Sequence, residues 1–87
     1  MYVIIVYDIS VERVSKVCQF LRQFLNWIQN SVFEGELTKS EIARVKKGIN
    51  EIINKENDSV IIYIIHTEDA LKKETIGIKK AEPCNII

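Results

Sequence analysis

Two short runs, YVIIVY at residues 2–7 and VIIYII at 60–65, contain only valine, isoleucine and tyrosine. β-Branched and aromatic residues in runs this short select strand. Neither run alternates apolar with polar, as a strand wetted on one face would. In the first, Val3, Ile5 and Tyr7 point one way, and Tyr2, Ile4, Val6 and Asp8 the other. In the second, Ile61, Tyr63 and Ile65 oppose Val60, Ile62 and Ile64. The chain must therefore build a sheet that is apolar on both faces, and it has only 87 residues with which to cover it.

The segments between these strands supply two helices. Ser10 is placed as an N-cap, with Ile9 and Val14 as a staple. Val11, Val14, Cys18, Leu21 and Leu25 recur every three or four residues, widened by Val17, Phe20 and Phe24. This predicts a helix over 11–25. TKSE at 38–41 forms a capping box, flanked by the staple pair Leu37 and Ile42. Ile42, Val45, Ile49, Ile52 and Ile53 carry the second helix over 39–54. Gly48 interrupts it at a cost of about 1 kcal/mol, which only close packing would explain. Between the helices, WIQNSVFEGEL at 27–37 reads as two short strands or one sharply bent strand. Asn57-Asp58-Ser59 is a turn, and 71–77 can form an additional strand.

The order is strand, helix, strand pair, helix, strand. It predicts an α+β, ferredoxin-like βαββαβ domain with an antiparallel sheet, an extra C-terminal strand and helices on one face. The domain spans 1–77, and 78–87 is a tail for dimer or partner contacts. Two helices cover one face only. Each aliphatic residue left on the other would forgo roughly 1.5–3 kcal/mol of burial. A homodimer packed sheet to sheet removes that cost. The alternative is that the C-terminal residues fold back over the same face.

Composition narrows the function. The formal net charge is zero, which disfavours a free-standing nucleic-acid binder working through a broad basic field. No signal peptide pattern and no apolar run near membrane length is present, so the expected setting is cytoplasmic. Cys18 and Cys84 lack metal or redox spacing and read as reduced thiols. His66 stands without a partner at a matching spacing. No glycine-rich loop is present to cradle phosphate.

Asp8 is the exception. It ends a buried strand just before a helix. It serves either as a cap, a task already assigned to Ser10, or as a functional acid. One carboxylate is a thin site for Mg²⁺, which takes one or two carboxylates plus water. Two-fold symmetry would bring two Asp8 side chains to one cleft, where a metal could act on a phosphodiester.

YD at 7–8, WIQNSVFEGEL at 27–37 and NDSVIIY at 57–63 resemble the small CRISPR-associated nuclease family, the smaller of the two universal spacer-acquisition proteins. The resemblance spans residues 1–77. It implies a ferredoxin-like homodimer and, in some members, Mg²⁺- or Mn²⁺-dependent cleavage of RNA or DNA. It also implies a place in the complex that integrates new spacers, where the dimer bridges integrase subunits and holds DNA. Asp8 matches the family's metal-binding aspartate and Arg13 a basic position at the start of the first helix. Ser31 and Phe33 match the motif after that helix. Trp27 departs from the arginine many members carry, which removes a cation for phosphate and substitutes a stacking or packing ring. Three functions compete: a metal-dependent endonuclease, a structural adaptor touching DNA through residues such as Lys46, Lys47, Lys72 and Lys73, and a small-molecule regulatory domain. The last lacks a ligand loop.

Overall fold

The computed structural model describes residues 1–66 and 71–77. The elements are β1 (Tyr2–Asp8), α1 (Val11–Leu21), β2 (Asn26–Gln29), β3 (Val32–Glu36), α2 (Lys39–Ile52) and β4 (Ser59–Ile65). The sheet order is β2-β3-β1-β4, and every pair is antiparallel. This is the expected ferredoxin-like arrangement, with β1 between β3 and β4.

The two faces of β1 part as its sequence requires. Val3, Ile5 and Tyr7 are buried. They join Phe33 of β3, Val17, Cys18 and Leu21 of α1, and Ile42, Val45 and Ile49 of α2 in one core. Ile4, Val6 and their cross-strand neighbours Tyr63 and Ile61 form the opposite face. There Ile61 is 48% and Tyr63 53% exposed. Aliphatic and aromatic surface of this kind is what a sheet-packing partner would cover.

Local chemistry sets the element ends. Thr38 accepts the Glu41 N–H at 3.2 Å, and Glu41 accepts the Thr38 N–H at 2.9 Å, so the capping box forms. Residues 27–37 resolve into a hairpin. Asn30 turns the chain at φ 36°, a left-handed conformation that asparagine tolerates better than most residues. Its carbonyl accepts the Tyr7 hydroxyl at 3.2 Å and the Trp27 indole N–H at 3.1 Å. Trp27 is thus a packing ring against the core. The Tyr7 hydroxyl also lies 3.2 Å from the Cys18 sulfur, which is a free buried thiol. Gly48 is explained by Phe20: a Cβ there would lie 2.1 Å from the ring tip.

Four expectations change. α1 stops at Leu21, because residues 22–25 form turns that carry Leu25 into the core. α2 stops at Ile52, where Ile53 adopts an extended backbone. Val11, the first residue of the predicted apolar stripe, is 85% exposed because the first turn of α1 projects beyond the sheet-covering face. Residues 71–77 form no strand. Lys72, Lys73 and Glu74 offer no apolar alternation, and Lys73 instead forms an ion pair with Glu34, which is 5% exposed on the open face. Lys73 thus touches the open face, where Ile61 and Tyr63 stay exposed. The tail expected at 78–87, Cys84 included, lies outside the described residues. No helix among the described residues is long and apolar enough to cross a membrane.

Candidate active site

β1 ends at Asp8, directly opposite Ser59, the first residue of β4. On the other side of β1, the Tyr7 N–H donates to the Ser31 carbonyl at 3.1 Å. Asp8, Ser31 and Ser59 therefore share one end of the sheet. Alternation along β1 puts Asp8 on the open face with Ile4 and Val6. Its side chain is exposed, and among the described residues nothing pairs with its carboxylate. No three histidine, cysteine, aspartate or glutamate side chains among the described residues converge on a metal position. A single chain thus contributes one free carboxylate here.

The remaining expected site residues stand differently. Ser31 is half-buried in the β2–β3 turn, where its backbone carbonyl is engaged by Tyr7. Phe33 is fully buried, its ring centroid 6.0 Å from that of Tyr7. It has no free ring to stack on a base, because its place in the β1–β3 register turns it toward the helices. Arg13 is paired with Asp58. Its Nε donates to Asp58 Oδ2 at 2.6 Å, and its Nη2 to Asp58 Oδ1 at 3.0 Å. This is a forked, charge-assisted pair. Ser10 occupies the N-cap position of α1 but makes no side-chain cap hydrogen bond. Its backbone N–H instead donates to Asp58 Oδ1 at 3.0 Å. His66 is exposed.

Asp58, a turn residue by sequence, has a larger part in the structure. It is buried, and besides Arg13 and Ser10 it accepts the Asn54 N–H at 2.9 Å on Oδ2. The Arg13 guanidinium, helped by those two backbone N–H groups, holds its carboxyl well below the usual carboxylate range, against the opposing effect of burial. The same hydrogen bond raises Arg13 above its ordinary value. The available signal was indirect: an acid in the residue before β4, and an arginine in the first turn of the helix that follows β1.

The model for CRISPR associated protein Cas2 matches residues 1–73. A CRISPR-associated endoribonuclease Cas2 from Methanosarcina acetivorans is 51% identical over 87 residues, covering 100% of both chains. One from Archaeoglobus fulgidus, named Cas2 2, is 53% identical over 79 residues, 91% of this chain and 86% of its own. A crystal structure of Cas2 superposes with a TM-score of 0.85 at 42% identity, covering 100% of this chain and 98% of that one. With the βαββαβ fold, the QNSVFEGEL hairpin and an aspartate ending β1, these similarities make the chain a member of the CRISPR-associated Cas2 family.

Proposed function

We propose that the chain is a divalent-metal-dependent endonuclease of CRISPR adaptation, acting in the cytoplasm as a homodimer packed sheet to sheet. The observation that carries this reading is the Asp8 carboxylate, exposed and unpaired at the end of the central strand. It lies on the face that also exposes Ile61 and Tyr63. A partner seated on that face would bring a second Asp8 to the same cleft. The relatives' names specify ribonuclease action, so RNA is the first substrate to test, with DNA second.

Asp8 is the residue that would hold Mg²⁺ or Mn²⁺. One carboxylate per chain, with water completing the shell, fits an ion that keeps much of its hydration. Bound there, the ion would supply an activated water and positive charge against the phosphodiester transition state. The chain's own part is to hold Asp8 at the end of the central strand with its carboxylate unpaired among the described residues.

A second reading, a structural adaptor, is favoured by the sparseness of the site. Arg13 is committed to Asp58 and Phe33 to the core. In this role the dimer bridges integrase subunits and contacts DNA through exposed lysines such as Lys46 and Lys47, borrowing basic surface from its partner. Both roles can reside in one dimer.

The test separates them. Asp8→Asn keeps size and removes the charge, so divalent-dependent cleavage should vanish while the dimer, measured by light scattering, persists. His66→Ala should cleave like the wild type. Equal cleavage by Asp8→Asn and wild type would refute the nuclease assignment. Deleting Pro83 to Ile87 should weaken co-purification with the integrase or loosen the dimer, whereas Asp8→Asn should do neither. Loss of spacer integration by Asp8→Asn in a fully assembled complex would refute the adaptor reading.

A further inference from the structure

Asp58 is not among the residues expected to act, yet it is the best-satisfied acid among the described residues. Its side chain is fully buried, with 0% relative exposure. Each oxygen accepts two donors: Oδ1 takes the Ser10 N–H and Arg13 Nη2, and Oδ2 takes Arg13 Nε and the Asn54 N–H. These donors come from three places: the turn after β1, the first turn of α1, and the chain just past α2. A buried ion pair is weak evidence of a stabilising role, since apolar replacements are often as stable. A carboxylate with every acceptor direction filled does something else well, which is to fix relative positions.

The position it fixes is the one next to Asp8. Ser59, its chain neighbour, stands opposite Asp8 in the β1–β4 register. Ser10, which it binds, is two residues beyond Asp8. The strand pairing holds Asp8 from one side, and Asp58 holds the departing chain from the other. Asp58 points toward the helices, whereas Asp8 lies on the open face, so the two carboxylates are separated by the sheet itself.

We propose that Asp58 is the positioning residue of the Asp8 site: from the helix side of the sheet it clamps the Ile9–Ser10 turn and the Arg13 guanidinium, and so sets the direction in which Asp8 presents its carboxylate to a divalent cation and a phosphodiester. This rests on the nuclease reading above and gives Arg13 its part, which is to act through Asp58 and not on the substrate. Displacement of a metal-bearing carboxylate by even about 1 Å costs on the order of 100-fold in rate.

The experiment uses the full chain, with Mn²⁺ as the metal probe and a short RNA as substrate. Asp58→Asn keeps the shape but loses the charge and one acceptor. Arg13→Gln breaks the clamp from the other side, and Arg13→Lys restores charge without the fork. Three quantities are read on folded protein: Ser10 amide exchange, Mn²⁺ affinity by relaxation enhancement, and kcat against KM. For Asp58→Asn we expect faster Ser10 exchange, Mn²⁺ affinity down roughly 10-fold, in the range of supporting-shell losses, and kcat down about 10-fold or more with KM little changed. Arg13→Gln should match it, with Arg13→Lys between Gln and wild type. Should Asp58→Asn unfold, the two Arg13 variants decide by the same readouts. Folded variants with wild-type kcat and wild-type Mn²⁺ affinity overturn the proposal, as does a rise in KM with kcat unchanged, which would make Arg13 a substrate contact. A wild type without Asp8-dependent cleavage but with Asp8-dependent Mn²⁺ binding refutes the nuclease reading alone, and Mn²⁺ affinity then decides the role of Asp58. Absence of both refutes the two together.

Discussion

Gly48→Ala should destabilise the protein, although alanine is the better helix former. In the interior of a helix, alanine is favoured over glycine by about 1 kcal/mol. Here the added methyl would lie 2.1 Å from Phe20 Cζ and 2.6 and 2.7 Å from its two Cε atoms. Carbon atoms prefer about 3.5–4.0 Å, so the ring has to move by more than 1 Å. That ring packs edge-on against Phe24, with centroids 5.4 Å apart at 60°. Overpacking costs about 1–3 kcal/mol, and loss of the aromatic pair about 0.5–1.5 kcal/mol. Set against the propensity gain, the net is a loss of about 0.5–3.5 kcal/mol. For a domain of this size each kcal/mol lost lowers Tm by roughly 4–8 °C. The assay is thermal and urea unfolding at one protein concentration, because dimerisation would make Tm concentration-dependent. The decisive comparison is a double-mutant cycle with Phe20→Ala. Without the ring, Gly48→Ala should stabilise by about 1 kcal/mol, giving a coupling of about 1.5–4.5 kcal/mol. A stabilised single mutant, or no coupling, would refute the account of α1 against α2.

Phe33→Ala should cost about 3–5 kcal/mol of stability as a core truncation; unchanged urea unfolding with lost RNA binding would instead restore a stacking role. Thr38→Ala removes half of the capping box and should cost about 1 kcal/mol, read as a lower Tm, whereas an unchanged Tm would show the cap to be dispensable. Asp58 is depressed in the folded state, so its contribution is present above the ordinary carboxylate value of 3.8 and is lost as pH falls below it toward the folded value. The stability gap between wild type and Asp58→Asn should therefore be constant near neutrality and narrow below about pH 4; a gap that widens on acidification would contradict the sign.

Much of the fold is legible in the chain because its signals are local. The capping box of α2 lies within four residues, the Asn30-Ser31 turn within two, and β1 and β4 declare themselves by composition. What escaped depends on partners far along the sequence. Gly48 makes sense only with Phe20, 28 residues earlier. Asp58 reads as a turn residue until Arg13, 45 residues away, is brought to it. The same distance hides the surroundings of Arg13 and Phe33: their family positions are visible in the sequence, but their pairing with Asp58 and burial in the core are not. Asp8 stands out in the sequence because its oddity is local: a charge closing a run of six apolar residues.

The central place of β1 also governs how the chain comes to be folded. Tyr2 pairs with Ile65, so β1 waits for its second neighbour until the last strand of the sheet is made. At synthesis rates of about 5–20 residues per second, β4 follows β1 by roughly 3–10 s. β3 arrives sooner and covers one edge of β1, but its other edge stays open until β4 has emerged. A strand of valine, isoleucine and tyrosine with a free edge is a template for pairing between nascent chains. The late, long-range closure makes folding slow relative to helical domains of similar size. Yield in the cell is then governed by how quickly the last strand reaches the first, and variants that weaken β4 should aggregate before they measurably lose equilibrium stability.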